Sequence, residues 1–459
     1  MSTTPPLHKR LPHSRHASRE RDAGPAESIL TFESTSALAG APIYAAPGQE
    51  PAVKRAAHRK LAILGTILLF FFFLNALWLW GSFYQLPRKV HNLDIAIVDF
   101  DGGSIGSALT TAAQAFDGPS NVPNFHIISG GSTSVADIIG KVKNGEYWAA
   151  IYANTGASDR FTSAIASESA ASGYNASQAL TYTGLEVRYN TVWQKYVYPS
   201  VLNVLDNTKT TFAGSAVAPL LSSSTSYGSK AAAVLANPIS ATYVNQTPFA
   251  FGTRSLLNTA GFIFPILLIA FFLSAANTTF HALGYFQNLS YRSHLRTKVL
   301  LGLLWPFLAS LVTACWYLMF DEDYVIGAKY FFALWALLWV YCIIYFNLLD
   351  ALYALSPASA IPLIVFTLLV LSVSSTSHPL ELQPAFFKLQ YAFPSHATWD
   401  IMITIFGHGA VRTLKYDLPI LAGWLIATGA VQHLALKKRE KDGLTAVVGA
   451  AVVPVAVKA

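Results

Sequence analysis

The sequence LDIAIVDFDGGSIG at residues 93–106 decides how the chain is divided into parts. Its apolar run IAIV at 95–98 predicts a short buried strand, because turn-forming residues follow it directly. The DFDGG sequence at 99–103 predicts a turn, and a helix is expected to begin at Ser104. Two interpretations follow. The stretch is either the first strand of a folded domain outside the bilayer, or a phosphate or metal site built on paired aspartates.

Composition identifies the chain as a membrane protein. Of its 459 residues, 53% are hydrophobic and only 12% are charged, and the mean hydropathy of +0.41 is outside the range of soluble globular proteins. The net charge of +7 comes mainly from basic residues beside hydrophobic runs, where they orient helices, so nucleic-acid binding is not expected. The two cysteines, Cys315 and Cys342, lie inside hydrophobic runs, which excludes a disulfide framework.

Hydrophobic runs of the length needed to cross a bilayer predict six transmembrane helices. They are residues 61–84, 256–280, 299–320, 330–355, 361–375 and 418–436. Basic residues, among them Arg59 and Lys60, precede the first run, and KKREK at 437–441 follows the last. Because cytoplasmic loops carry the excess of Lys and Arg, both termini are expected in the cytosol, with the first run as a retained signal anchor.

The remaining segments complete the predicted organisation. Residues 1–53 lack apolar periodicity and are expected to be a disordered cytosolic tail. Residues 88–254 are expected to be an extracytoplasmic domain, and the acidic residues 321–323 a turn on the same side. The aromatic and proline-rich segment 376–417 is expected to be an outside loop on the interface or folded back into the bundle. Residues 437–459 are predicted to be a second cytosolic tail.

The segment between the first two runs alternates between strand and helix patterns, which favours a small sheet with helices packed against it. Strands are predicted at 95–98, 125–128, 147–152 and 185–189, and helices at 105–116, 135–143, 164–180 and 192–212. The predicted fold class is therefore an α-helical polytopic membrane protein with six transmembrane helices and a mixed α/β extracytoplasmic domain between helices 1 and 2.

The residues Asp99, Asp101, Gly102 and Gly103 are the clearest motif of this domain. They resemble the first motif of haloacid-dehalogenase-type phosphatases, in which one aspartate is the nucleophile, the other is the general acid and Mg²⁺ offsets the phosphate charge. That family expects Thr or Val at Gly103, and the chain has no convincing acidic pair downstream. The alternative is a strand end whose Asp and Gly residues form the turn and cap the helix at Ile105. We favour this alternative, and expect no enzyme activity, metal or cofactor.

Polar residues within the predicted spans are candidates for a substrate path, because polar groups in a bilayer are costly and often functional. Asn75, Asn347 and Asp350 are the candidates, although Asp350 lies near a cytosolic end where it could reach headgroups. Asn175 and Asn245 each begin a glycosylation sequence on the side where glycans are added.

Two stretches resemble a known family: AIVDFDGGSIG at 96–106 and SVSSTSHPLELQPAFFKLQYAFPSH at 372–396. With the order of spans, they resemble the fungal nitrosoguanidine-resistance membrane protein family over about residues 60–436. That family is similar in layout to the permease halves of type-2 ABC exporters and to phage-infection proteins. The resemblance implies a plasma-membrane protein linked to resistance to toxic compounds and to lipid organisation, with no catalytic residues to carry over.

These observations predict a permease-like plasma-membrane protein that exports or translocates amphipathic toxic molecules or lipids. The alternative is a non-transporting regulator or scaffold of lipid organisation whose ectodomain binds a partner, and a third hypothesis is an ectodomain hydrolase using Asp99 and Asp101. The chain has no Gly-x-x-x-x-Gly-Lys-Ser/Thr sequence, so ATP-driven transport would need an ATPase on another chain. Membrane lipids are the expected partners. A homo-oligomer, a separate ATPase and another membrane partner all stay open, as do the substrate and the energy source.

Overall fold

The computed structural model describes residues 50–116, 118–223, 226–247, 252–320 and 327–451, without the side chains of 50–52, 286–287 and 442–451. Residues 1–49 of the predicted tail, the predicted turn at 321–323 and residues 452–459 lie outside this part of the chain. The chain forms two compact units, Met1–Leu69 and Phe70–Ala459. The described part of the first unit is helical and largely exposed. All features discussed below lie in the second.

The helices and strands, numbered in chain order, fall into two groups. The first group is α1 (Glu50–Ser82), β1 (Asp94–Asp99), α2 (Ser104–Gln114), β2 (Asn124–Ser129), α3 (Val135–Lys143), β3 (Ala149–Ala153), α4 (Ala157–Ala166), α5 (Glu168–Gly173), β4 (Leu180–Gly184), α6 (Asn190–Val192), α7 (Tyr198–Phe212), α8 (Ala218–Ser222), α9 (Ser229–Ala236) and β5 (Ala241–Asn245). The second group is α10 (Ala260–Ala282), α11 (Tyr285–Asn288), α12 (Tyr291–Met319), α13 (Ala328–Leu355), α14 (Ile361–Thr376), α15 (Pro394–Phe406) and α16 (Leu414–Ala451).

Strands β1 to β5 form one mixed sheet in the order β2-β1-β3-β4-β5. The β1/β2, β1/β3 and β4/β5 pairs are parallel, and β3/β4 is antiparallel. Strands β3 and β4 are buried at every position, as expected for strands covered on both faces. We call residues 94–245 the α/β region. The strands predicted at 95–98 and 125–128 and the helix at 135–143 are confirmed.

Two sequence predictions within the α/β region are wrong. Instead of one helix at 164–180, α4 ends at Ala166 because Ser167 is extended, with φ of −147°, and its side chain caps α5. The strand predicted at 185–189 does not form there; β4 lies directly before it, at Leu180–Gly184. The apolar alternation of Leu185, Val187 and Tyr189 instead reflects burial without strand pairing. Elements α9 and β5 were not predicted.

Six helices in the described residues are long and apolar enough to cross a membrane, which confirms the predicted number. They lie at Val53–Ser82, Ala260–Ala282, Tyr291–Met319, Ala328–Leu355, Ala358–Thr376 and Leu414–Lys441. Helix α13 is the most buried of them and packs against α10, α12, α15 and α16. It is therefore the central helix of the bundle, and its buried face positions most of the polar groups described below.

The segment predicted as a loop at 376–417 is ordered and largely buried. It contains two 3₁₀ segments, Leu380–Leu382 and Ala385–Ala392, followed by α15. Every residue of α15 except Asp400 is buried, and the helix packs against α13, α14 and α16. Of the two alternatives, a loop on the interface or a segment folded back into the bundle, these contacts match the second.

Candidate functional site

Asp99 holds the turn that follows β1. Its Oδ1 accepts hydrogen bonds from the backbone N–H groups of Asp101, at 2.9 Å, and Gly102, at 2.8 Å. Gly102 has φ of +66°, which side chains other than glycine rarely allow. The side chain of Asp99 also fills the space over Gly106, where a Cβ would collide with it. The aspartate and the glycines therefore shape the backbone between β1 and α2.

Asp101 joins the first turns of two helices. Its Oδ1 accepts the backbone N–H of Ser158 at 2.8 Å, and its Oδ2 accepts the Ser158 hydroxyl and, at 3.4 Å, the N–H of Gly106. Gly103 leaves room for Ser158, because a Cβ there would clash with that side chain. No group of three or more His, Cys, Asp or Glu residues in the described chain could hold a metal ion. The hydrogen bonds of both carboxylates therefore hold the local fold of the motif.

The candidate path residues Asn75 and Asn347 lie in helix packing. The Nδ2 of Asn75 donates to the Phe71 carbonyl of its own helix at 3.0 Å. Asn347 is buried between α12 and α16, where Cβ atoms built on Gly302 and Gly429 would lie 3.8 and 3.9 Å from its amide atoms. The small glycines let these helices approach the central α13. Neither asparagine lines the groove described below.

Asp350 is the centre of a buried ion cluster. Lys298 of α12 and Arg439 of α16 both approach its Oδ1, at 2.6 and 3.3 Å. Gln432 donates to its Oδ2 at 3.1 Å. The cluster ties α12, α13 and α16 together, and Asp350 does not line the groove.

The two glycosylation candidates differ in exposure. Asn175 is exposed, and its Oδ1 accepts hydrogen bonds from the N–H and hydroxyl of Ser177. Asn245 is half-buried at the end of β5, and its Oδ1 accepts the N–H of Thr247. Asn175 is therefore the more accessible acceptor.

An open groove of about 590 Å³ runs between α10, α13 and α14. One end is polar, where α10 ends and α14 begins, and the other is apolar, toward the middle of both helices. The polar lining residues are Ser274, Asn277, Thr278, His281, Tyr353 and Ser356, and the apolar ones include Leu267, Phe271, Val365, Phe366 and Leu369. A groove of this kind matches a molecule with a hydrogen-bonding head and a hydrocarbon body.

The polar end keeps some hydrogen-bonding capacity. The Nδ2 of Asn277 donates to the Leu273 carbonyl at 2.8 Å, whereas its buried Oδ1 has no hydrogen-bond donor among the described residues. Tyr353 donates its hydroxyl to the Ala270 carbonyl at 3.1 Å and so fixes the wall of the groove. A buried acceptor without a donor is costly.

A second polar feature is a buried hydroxyl network where α13, α14 and α15 meet. Ser395 lies 2.8 Å from both the Tyr345 hydroxyl and the Ser372 hydroxyl, and 3.4 Å from the Tyr341 hydroxyl. All four side chains are buried. Linked hydroxyls in a low-dielectric interior polarise one another, so the network fixes α15 against the central helix.

Ser374 connects the network region to the end of α1. Its hydroxyl accepts hydrogen bonds from Trp78 Nε1 at 3.0 Å and from Gln390 Nε2 at 3.2 Å. Its carbonyl accepts the Nε2 of Gln383 at 3.0 Å. Polar residues of the SVSSTSHPLELQ sequence therefore form hydrogen bonds with one another and with neighbouring helices inside the bundle.

The α/β region contacts the segment before α15 through charged and aromatic groups. Arg188 Nη2 lies 2.9 Å from Glu381 Oε1, and the guanidinium also lies over the Trp148 ring at 4.1 Å. Tyr189 meets Trp399 edge-to-face, with ring centroids 5.9 Å apart. Burial raises the pKa of the Tyr189 phenol well above its usual value, helped by the nearby acids. These contacts form a junction between the α/β region and α15.

Comparison with known families gives one match. Residues 65–430 match the family described as "Protein of unknown function (DUF3533)". The chain belongs to this family. No curated protein and no solved structure matches the chain. The matched residues include most of α1, the α/β region, the groove and the hydroxyl network, so these features all lie within the part of the chain that defines membership.

The groove was not predicted from the sequence, although a pattern on α10 indicates it. The signal was the spacing of Ser274, Asn277, Thr278 and His281, which places four polar residues on one helix face. A polar stripe on a membrane helix indicates a lined cavity or a helix contact. The facing surface on α14 is apolar, and no pattern in its sequence pairs it with that stripe.

Proposed function

We propose that this chain is a permease-like plasma-membrane protein that exports or translocates amphipathic molecules or lipids, and so contributes to resistance to toxic compounds. The groove between α10, α13 and α14 carries the proposal, because it is polar at one end and apolar along its length. The resemblance to exporter permeases supports the same function. The protein acts as a transporter without enzyme activity.

The chemistry of the lining supports an amphipathic substrate. Hydroxyl and amide groups of Ser274, Asn277 and Thr278 offer hydrogen bonds to a head group. Phe271, Phe366 and their apolar neighbours would pack against a hydrocarbon chain through van der Waals contacts. In this proposal the head group of the substrate binds at the polar end of the groove, and its hydrocarbon chain binds at the apolar end.

We further propose that the polar end of the groove lies in the cytosolic leaflet. Arg292 and Arg296 follow shortly after this end of α10, and Lys437 and Lys438 lie near the end of the candidate span Leu414–Lys441. Basic residues at membrane boundaries favour the cytosol. In this orientation both termini are cytosolic, the α/β region is outside the plasma membrane, and its exposed Asn175 is available for glycosylation.

A regulator or scaffold of lipid organisation is the second candidate. The junction supports it, because a partner bound to the α/β region would act on α15 through Arg188 and Glu381. In this alternative the groove holds a structural lipid and nothing is translocated. A homo-oligomer or a separate ATPase is compatible with either function.

Reconstitution tests the transport proposal. The purified chain is placed in liposomes with a fluorescent lipid, and transfer between leaflets is followed with a membrane-impermeant quencher. Ser274→Trp fills the groove, whereas Ala275→Trp, at the next exposed position outside the lining, is the matched control. We expect transfer by the native chain and by Ala275→Trp, and a loss of several-fold in Ser274→Trp. Absence of transfer by the native chain contradicts transport by this chain alone and favours the scaffold or an ATPase partner.

A further inference from the structure

The imidazole of His396 has a defined orientation inside the bundle. Its Nδ1 lies 3.2 Å from the Ser375 carbonyl oxygen, and a carbonyl only accepts hydrogen bonds. The hydrogen therefore sits on Nδ1, and Nε2 points the other way. One helical turn later on α15, Asp400 Oδ2 lies 3.4 Å from this Nε2.

In this arrangement two proton acceptors, His396 Nε2 and the Asp400 carboxylate, face each other with no proton between them. A neutral imidazole protonated at Nδ1 presents a lone pair at Nε2, and an ionised carboxylate presents lone pairs as well. Nε2 of His396 has no hydrogen-bond partner among the described residues, and Asp400 is in ion-pair distance only. The two acceptors repel at this distance until a proton binds to either of them. With a proton, the pair becomes an imidazolium with a carboxylate, or an imidazole with a carboxylic acid.

The buried position of the His396–Asp400 pair makes the binding of a proton more favourable. The His396 side chain is only 4% exposed and that of Asp400 is 18% exposed, so water screens their interaction weakly. Burial raises the pKa of Asp400, and Glu381 adds to this effect, while His396 and Arg188 oppose it. Buried carboxyl groups with nearby acids favour the neutral form.

The groups that face the pair come from each neighbouring element. Asp417 at the start of α16 interacts electrostatically with both residues. The other titratable groups around the pair are Glu381 and Arg188 at the junction, Tyr189 and Tyr391 beside it, and Tyr341 and Tyr345 on α13. The part of α14 that packs here contributes serine hydroxyls. Arg188 interacts with Glu381 and Asp400, and Asp417 adds a third carboxyl group beside Asp400, so carboxyl groups outnumber the arginine around the pair.

We propose that His396 and Asp400 form a proton-binding site, and that the proton it holds stabilises the contact between α15 and the α/β region. Trp399, next to Asp400, packs against Tyr189 of the α/β region. Release of the proton leaves a buried carboxylate beside Tyr189, Glu381 and Asp417. Occupancy of the site and the position of α15 are therefore linked.

Infrared difference spectroscopy on the full chain in lipid nanodiscs tests this site while the pH is raised. The native chain should lose one proton from the site, seen as the carbonyl band of a protonated carboxyl or the ring band of an imidazolium. Asp400→Asn should lower the midpoint of this step, because the carboxylate that faces the imidazole is gone, and His396→Gln should shift it, because the imidazole that faces the carboxyl group is gone. Asp159→Asn, at an exposed position on α4, is the matched control and should leave the midpoint unchanged.

Equal midpoints in the native chain, Asp400→Asn and His396→Gln overturn the proposal, as does the absence of any such step in the native chain. Asp400→Glu covers the case in which Asp400→Asn does not fold, since it keeps the carboxyl and should keep the titration. The measurement contains no substrate, so its outcome is independent of whether the chain transports lipids.

Discussion

The Nζ of Lys298 lies 2.6 Å from Oδ1 of Asp350, and the two side chains are only 4% and 5% exposed. Arg439 Nη1 lies 3.3 Å from the same oxygen, so one carboxylate provides negative charge beside two cations. Charges removed from water in this way are stable only with their partners in place. The carboxylate that sequence reasoning assigned to a substrate path thus has a structural environment.

Replacing Asp350 should lower the stability of the helix bundle. Asp350→Asn removes the negative charge that lies beside Lys298 and Arg439, and breaking a buried pair costs about 3–5 kcal/mol. The measurement is the denaturation midpoint of the purified chain in detergent. The double variant Lys298→Met/Asp350→Asn should recover part of the loss, and Asp206→Asn, in the exposed Lys209–Asp206 pair, should change little. A fully stable Asp350→Asn that fails to transport would restore the path hypothesis.

Asp101 should matter for folding before any catalysis. Asp101→Ala removes the acceptor for Ser158 and Gly106 and should lower the free energy of unfolding by about 1–3 kcal/mol, the cost of unmade hydrogen bonds. Asp101→Asn keeps one oxygen acceptor and should lose less. Chemical denaturation of both variants checks this order. A Mg²⁺-dependent phosphatase signal that disappears in Asp99→Asn would instead support the hydrolase hypothesis.

His378 should make the chain sensitive to acid. Burial, with a smaller effect from Lys195, lowers the pKa of His378 from 6.5 to about 4, and its ring packs against Phe83. Between these values the unfolded chain binds a proton that the folded chain does not, so stability falls as the pH drops from 6.5 to 4. The full loss is about 3 kcal/mol.

Denaturation curves across this pH window check the expected loss. His378→Phe should flatten the acid limb, because the unfolded variant no longer has the imidazole that takes up a proton in this pH range. His91→Asn, at an exposed position, is the control and should follow the native chain. An unchanged acid limb in His378→Phe would assign the acid sensitivity to other groups.

Ser395 should be the most sensitive member of the hydroxyl network. Ser395→Ala removes the partner of three hydroxyls at once, with an expected loss of about 1–3 kcal/mol for the donors and acceptors left unpaired. Tyr345→Phe removes one of these bonds and should cost less. Thr367→Ala, whose hydroxyl bonds only within α14, serves as the control in thermal unfolding. Equal midpoints for Ser395→Ala and Thr367→Ala would contradict a cooperative network.

Local patterns in the sequence predict much of the fold. The six spans follow from hydrophobic runs, and β1 with its DFDGG turn follows from a buried strand that ends in turn residues. The failures concern choices that depend on distant residues. Leu180 rather than Leu185 begins β4 because β3 and β5 pair there, and the groove exists only because an apolar α14 faces a polar stripe on α10.

Photo-crosslinking tests whether the groove holds an amphipathic molecule. A lipid with a photoreactive group in its acyl chain is added to the reconstituted chain, irradiated, and mapped by mass spectrometry. We expect saturable labelling at Leu267, Phe271, Val365 and Phe366 of the groove, lost in Ser274→Trp and retained in Ala275→Trp. Labelling that is spread evenly over the exposed apolar faces of α1 and α12, and that is unchanged by Ser274→Trp, would contradict binding of the lipid in the groove.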